Sequence, residues 1–291
     1  MKTALTALLL LVAIEAHAQV PGTDVYLLRT RDGLLAQLSV PVNATDRAGY
    51  DNQPGFLPDS SGFRYTSIDA SGQADIWLYD LESGETRNLT GPDTSEYSAT
   101  PMPDGDRFSV VRVEPDSTQR LWSFASDGSD PRLVLEEPAG VGYHAWGTDG
   151  ELILFVLGSP HELHRARAGA NGSELIVKDI GRCLQAIPGD DAWSFPLADA
   201  EAGWVVTRVD RQSGALSPIA PAPTPEVEDY CWTPEGELWS SDGTSIVAWR
   251  DGQWEPLRNL APGGIAGISR MAVSPDGQWL AFVAEDRGGN R

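Results

Sequence analysis

The sequence predicts an all-β fold: a six-bladed β-propeller of four-stranded blades, its ring closed by N-terminal strands pairing with C-terminal strands. Three observations predict it. A turn motif recurs six times along 291 residues. The same succession of short apolar strands and polar turns follows each copy. The two ends of the chain supply complementary halves of the sixth unit.

The turn motif reads Leu57-Pro58-Asp59, Met102-Pro103-Asp104-Gly105, Gly147-Thr148-Asp149-Gly150, Ile187-Pro188-Gly189-Asp190, Thr233-Pro234-Glu235-Gly236 and Ser274-Pro275-Asp276-Gly277. Steps between Asp59, Asp104, Asp149, Asp190, Glu235 and Asp276 are 45, 45, 41, 45 and 41 residues. That period suits one four-stranded blade per repeat. Proline presets the backbone for the turn, and Asp-Gly closes a tight hairpin. Apolar stretches at 63–68, 108–113, 152–157, 238–239 and 279–283 read as second strands. Third strands follow, often with an aromatic: Ile76-Trp77-Leu78-Tyr79, Leu121-Trp122, Trp204-Val205-Val206 and 246–249. A polar turn such as Glu82-Ser83-Gly84-Glu85 then leads to a short fourth strand, as at 86–89 and 131–135.

The ends complete the pattern. Asp24-Val25-Tyr26-Leu27-Leu28 matches Asp75-Ile76-Trp77-Leu78-Tyr79, so the chain opens on a third and fourth strand. It finishes on a first and second, Met271-Ala272-Val273 and 279–283. Together these halves make the sixth blade and remove exposed sheet edges.

The motif "Ser-Pro-Asp-Gly", the later "Asp-Ile-x-(apolar)-Tyr-Asp" and the terminal "Asn-Leu-Thr" resemble the WD40-like (PD40) repeat of TolB-like propellers. The best copies are 53–90 and 271–284. The resemblance spans nearly the whole mature chain. It is weakest at 181–220, where Ala-Ile-Pro-Gly-Asp-Asp stands for Ser-Pro-Asp-Gly. It implies a periplasmic interaction propeller, here without the N-terminal α/β domain that TolB itself carries.

Composition narrows the function. The formal charge of −21 repels a phosphate backbone, and no Lys/Arg cluster offsets it, so nucleic acid is not an expected partner. Lys2, the apolar run 4–14 and Ala16-His17-Ala18 read as a signal peptide over residues 1–18, leaving one domain over 19–291. No other segment is apolar enough to span a bilayer. Export is expected, to the periplasm in a Gram-negative source.

Catalytic signatures are sparse. No Gly-x-Ser-x-Gly elbow and no phosphate loop occur. His161-Glu162-Leu163-His164 lacks His-Glu-x-x-His spacing, and on a strand positions i and i+3 face opposite sides. No cofactor is expected. Asp-rich turns such as Ser126-Asp127-Gly128-Ser129-Asp130 leave a divalent ion such as calcium open, turn closure being their simpler role. Cys183 and Cys231 fall on inner strands of adjacent blades. An exported chain meets oxidising conditions, so either a disulfide or two buried thiols is consistent with them.

The expected site is the channel mouth. The opening residues of the inner strands are Asp51-Asn52-Gln53, Glu96-Tyr97-Ser98, Gly142-Tyr143-His144, Gly181-Arg182-Cys183, Glu228-Asp229-Tyr230 and Ser269-Arg270. Convergent polar groups at a concave surface are a ligand-site signature. Their plainer role is to plug and solvate the tunnel. Arg112, on the apolar face of a second strand, should lie near Glu96 and Tyr97. There it either pins the mouth or presents its fork to a carboxylate. Two functions follow. One is a non-catalytic propeller binding a small molecule, peptide or protein at the mouth. The alternative is a lyase or hydrolase using His144, Tyr143, Arg182 and mouth carboxylates such as Glu228.

Overall fold

The computed structural model describes residues 22–31, 34–35, 39–91 and 93–285. The expected leader at 1–18 lies outside them. Among the described residues the regular structure is β-strand, with one 3-10 turn at Ala261–Gly263, no α-helix, and no helix long and apolar enough to cross a membrane.

Four antiparallel sheets have four strands each. They are Ser95–Pro101, Arg107–Val113, Gln119–Ala125 and Arg132–Leu135; Val141–Trp146, Glu151–Val156, Glu162–Arg167 and Glu174–Lys178; Gln185–Ala186, Ala192–Asp199, Gly203–Asp210 and Leu216–Pro221; and Tyr230–Trp232, Leu238–Ser241, Ser245–Arg250 and Gln253–Asn259. A fifth sheet has nine strands. One part runs Ser269–Val273, Trp279–Glu285, Thr23–Arg31, with the short Leu34–Leu35 and Val42–Asn43 on its outer edge. The other is Tyr50–Phe56, Gly62–Ile68, Ala74–Asp80 and Thr86–Asn88. A single parallel pairing, Thr23 with Tyr50, joins the two parts. Hydrogen bonding alone therefore counts five sheets. Thr23 causes the merger: its N–H donates to Gly49 O (2.9 Å) and its hydroxyl to Asp51 O (3.0 Å).

The N-terminal strand pairs with the C-terminal one over seven residues, Thr23 with Glu285 through Arg29 with Trp279. The repeat motif has a physical job here. In the first unit, Asp75 accepts the Asn88 amide (2.7 Å) and Ile76 N–H donates to the Thr90 hydroxyl (3.0 Å). The Asn-Leu-Thr segment thus clips the fourth strand onto the third. Asn43-Ala44-Thr45 repeats the clip on Asp24 (2.7 Å) and Val25 (3.1 Å).

Among the described residues, six core clusters join side chains of successive repeats. One joins Trp239 and Ile246 to Tyr26, Leu28 and Phe282; another joins Val25, Leu27 and Ala281 to Phe56 and Phe63. Residue volume is complementary within them. Phe56 shares a cluster with the small Ala281, and the Trp146 and Trp232 indoles each donate to a small partner in the preceding repeat, Ser109 (2.8 Å) and Ser194 (2.9 Å). Where that column holds Pro101, Arg64 of the preceding unit lies over the Phe108 ring at 4.3 Å, and burial lowers its pKa to about 10. Replacing Ser194 by Ala would leave the Trp232 N–H unpaired. The expected loss is about 1–3 kcal/mol, read from the urea midpoint.

Many turns are closed by an aspartate that accepts the backbone N–H and hydroxyl of a following serine: Asp69 with Ser71, Asp80 with Ser83, Asp127 with Ser129 and Asp210 with Ser213. These bonds hold all four carboxyls below the ordinary aspartate value, Asp210 at about 2. A depressed folded-state pKa stabilises above the unfolded value and loses that contribution as pH falls through the folded one. Glu96 has the opposite sign. Burial pushes it up to about 7 from 4.5, so its contribution fades as pH rises across that span. The urea midpoint should therefore fall as pH drops from ~4 to ~2. A flat profile there would contradict the turn assignment.

Candidate functional site

The opening strands from Tyr50–Phe56 to Gln185–Ala186 lie side by side in sequence order, Tyr230–Trp232 lies beside Ser269–Val273, and Ser269–Val273 lies beside Tyr50–Phe56. The fourth and fifth units meet through Cys183, whose thiol donates to Tyr230 O (3.2 Å) while the Tyr230 hydroxyl donates to Cys183 O (3.1 Å). Between these strands is a cavity of about 360 Å³, lined by Gln53, Ser98, Tyr143, Arg182, Tyr230 and Arg270, one from each of the six repeats of the sequence. A recess of about 260 Å³ adjoins it and shares Gln53, Tyr143 and Arg182 with it.

Backbone irregularity aims the lining side chains. The opening strands carry bulges between Asn52 and Gly55, Tyr97 and Thr100, Val141 and Tyr143, and Ser269 and Met271. At three of them a non-glycine residue takes positive φ: Gln53 (57°), Ser98 (58°) and Arg270 (36°). Five of the seven other such residues among those described are aspartates, which tolerate this region better. Strain of this kind, held at a concave surface, marks functional sites.

Of the expected site residues, Gln53, Tyr143, His144, Arg182, Tyr230 and Arg270 line the cavity, and Tyr97 lines the recess. The Gln53 carbonyl oxygen accepts Ser98 N–H (2.9 Å) and the Thr66 hydroxyl (2.8 Å). Arg270 lies over the Tyr143 ring at 4.7 Å. His144 Nε2 is 2.6 Å from Ser109 Oγ, and Nδ1 is buried without a partner. Burial lowers the ring to about 3, so it is neutral near pH 7.

The remaining expected residues stand behind the lining. Glu228 accepts the Arg182 backbone N–H (2.8 Å) and pairs with its guanidinium. Asp229 pairs with Arg270 Nε at 3.3 Å. Burial opposes the charge on both arginines, but the acids outweigh it and hold the arginine pKa values above the ordinary one. Gly181 makes the first pair possible, because a Cβ there would sit 2.6 Å from Glu228 Oε2. Asp51 is buried against Arg47 (2.6 Å), and Asn52 accepts the Gln53 N–H (2.8 Å). Arg112 bonds Glu96 (3.0 Å) and Thr94 (2.7 Å) and lies over the Trp122 ring at 4.8 Å. Those partners occupy Arg112 as a pin, away from the cavity.

Cys183 and Cys231 are free and buried, so the disulfide left open by the sequence is not formed. Successive strand residues face opposite sides. The Tyr230 side chain reaches Cys183, its hydroxyl donating to Cys183 O, and the next residue, Cys231, packs into the core around Trp239.

Tyr50 lines neither space, although its phenol is pushed up to about 12 by burial and then by Tyr143, with Arg270 and Arg182 opposing. Sequence reasoning missed the recess side chains Phe155, Leu157 and His161. Pro54-Gly55 after Gln53 was the one available hint of a bulge.

Comparison with known proteins supports the fold. No protein-family model matches the chain. A curated relative, the uncharacterized peptidase YuxL of Bacillus subtilis, is 24% identical over 106 residues, 35% of this chain. The match spans only 16% of that peptidase's length. Among solved structures, a putative TolB from Agrobacterium tumefaciens aligns with TM-score 0.69 at 13% identity, covering 92% of this chain and 99% of that one. TolB from Acinetobacter baumannii gives 0.60 at 13%, covering 92% and 64%. A gluconolactonase from Xanthomonas campestris gives 0.65 at 15%, covering 92% and 97%. The fold is that of a TolB-like β-propeller.

Proposed function

We propose that residues 19–291 form one exported six-bladed propeller, closed by the pairing of Thr23–Arg31 with Trp279–Glu285, that binds a small molecule or peptide at its channel mouth without catalysis. Dividing the nine-stranded sheet at its lone parallel contact leaves six units separated by six core clusters, which supports the ring. The observation that carries the function is the cavity of about 360 Å³ to which every unit contributes. Cavities of this size suit small ligands and short peptide segments.

The gluconolactonase likeness keeps a hydrolase as the second reading. The site favours binding. A general base works best with a pKa near the operating pH, whereas His144 sits at about 3 with Nε2 engaged by Ser109. Glu228 and Asp229 are committed to arginines. Crystallographic fragment screening tests the proposal: hits should cluster against Gln53, Tyr143, Arg182 and Arg270. Hits confined to the outer surface would refute it. Turnover of gluconolactone that Tyr143→Phe abolishes would move the protein into the enzyme class.

A further inference from the structure

The cavity inverts the charge of the molecule around it. The chain carries −21, yet the lining holds Arg182 and Arg270 and no carboxylate. Both arginines are braced from behind by Glu228 and Asp229, which fixes their position without filling their donors. Arg270 is the clearer case. Its side chain is 15% exposed, and its ion pair uses Nε alone. Its two terminal amino groups hydrogen-bond to nothing among the described residues. Glu228 engages Nε and Nη2 of Arg182 and leaves Nη1. Gln53 has its oxygen occupied by Ser98 and Thr66, which leaves its amide N–H groups. These side chains supply donors without acceptors, so a ligand has to bring the acceptors. A guanidinium fork matches a planar carboxylate. A cation would meet two guanidinium groups.

The adjoining recess adds the second half. Its apolar wall is Tyr97, Val111, Phe155 and Leu157, Gln119 and His161 also line it, and it is joined to the cavity through Gln53, Tyr143 and Arg182. It stays open at Gly142, where a Cβ would lie 2.9 Å from the Phe155 ring. An apolar slot thus opens directly beside the donor cluster. Resting on the mouth as the binding surface, we infer that the site takes a carboxylate bearing a large apolar group next to it. Two sources carry that chemistry: the C-terminal residue of a peptide and a small free acid.

Calorimetric titration of the full chain tests this with four probes: N-acetyl-phenylalanine, its amide, N-acetyl-aspartate, and a tetrapeptide acid ending in phenylalanine. The two phenylalanine acids should bind at least about 10-fold tighter than the amide, and tighter than N-acetyl-aspartate. Arg270→Lys, which keeps charge but loses the fork, should weaken the acids about 10-fold. Leu157→Gln, at a half-exposed position, should erase the preference for phenylalanine over aspartate. Tetrapeptide binding tighter than acetyl-phenylalanine identifies a chain end; the reverse identifies a free acid. Equal binding of acid and amide, lost on Arg270→Lys, would overturn the carboxylate assignment and leave the mouth as the binding surface. Binding indifferent to both substitutions would overturn the mouth reading as well. Absence of binding by all four probes would overturn the carboxylate inference, while fragment hits at the mouth would still stand.

Discussion

Leu28→Ala is expected to lower global stability by about 2–5 kcal/mol, although the residue lies near the beginning of the chain. Terminal strands usually fray, and truncating a side chain in one costs little. Leu28 differs because it is fully buried in a cluster with Trp239, Ile246, Leu280 and Phe282, all contributed by the other end. Its strand comes third in the nine-stranded sheet, after two strands from the C-terminal end. The cavity left by the substitution would open at the seam between the fifth unit and the closing one. Urea unfolding followed by tryptophan fluorescence reports it directly, with Trp239 inside the affected cluster. A single cooperative transition shifted to lower urea is the expected result. An unshifted midpoint would mean that the N-terminal strand is an accessory to an already stable ring.

The second large effect lies at the mouth. Asp229→Leu removes the acid beside a largely buried Arg270 and strands its guanidinium, an expected loss of about 3–5 kcal/mol. Arg270→Leu strands Asp229, whose Oδ1 already lacks a well-aligned hydrogen bond. The double variant should recover much of the loss, because replacing both partners of a buried pair by apolar residues is often near neutral. The test is a thermodynamic cycle of urea midpoints. Additive losses would show that Asp229 and Arg270 do not act as a pair. The double variant should fold and yet lack the Arg270 fork, which separates the energetic role of the pair from its binding role.

The repeat was the legible part of this sequence. Pro-Asp-Gly turns, the Asp-Ile strand and Asn-Leu-Thr are local devices, each closed by hydrogen bonds within a few residues or one strand away. Their spacing therefore reports the unit, as Asp75, Asn88 and Thr90 illustrate. The same logic located the Glu96–Arg112 pair, because strand register carries it. The mouth was only half legible. Alternation along a strand predicts side-chain direction until a bulge intervenes, and four of the opening strands are bulged. Gln53 and Ser98 adopt left-handed backbone without a glycine to announce it. The pairings that pull Asp51, Glu228 and Asp229 back from the channel involve Arg47 from a loop and arginines from neighbouring units. Such meetings depend on how blades pack, and no spacing in one repeat encodes them. The size alternation at Phe56, Trp146 and Trp232 is written in the sequence, but it gains meaning only once Ala281, Ser109 and Ser194 are seen alongside.

Closure of the ring is the claim on which the cavity and its lining depend. Thr23 and Glu285 pair directly, and their N–H groups point away from each other, to Gly49 O and Ala266 O. They therefore form a non-hydrogen-bonded antiparallel pair, the close spacing that accommodates a cross-strand disulfide. In the variant carrying Thr23→Cys and Glu285→Cys, mild oxidation should give a monomeric, cross-linked species with a raised melting temperature. The native cysteines should not compete, since burial pushes Cys183 up to about 12 and Cys231 higher still. Free thiols after oxidation, or cross-links only between molecules, would place the two strands apart and contradict the closed propeller.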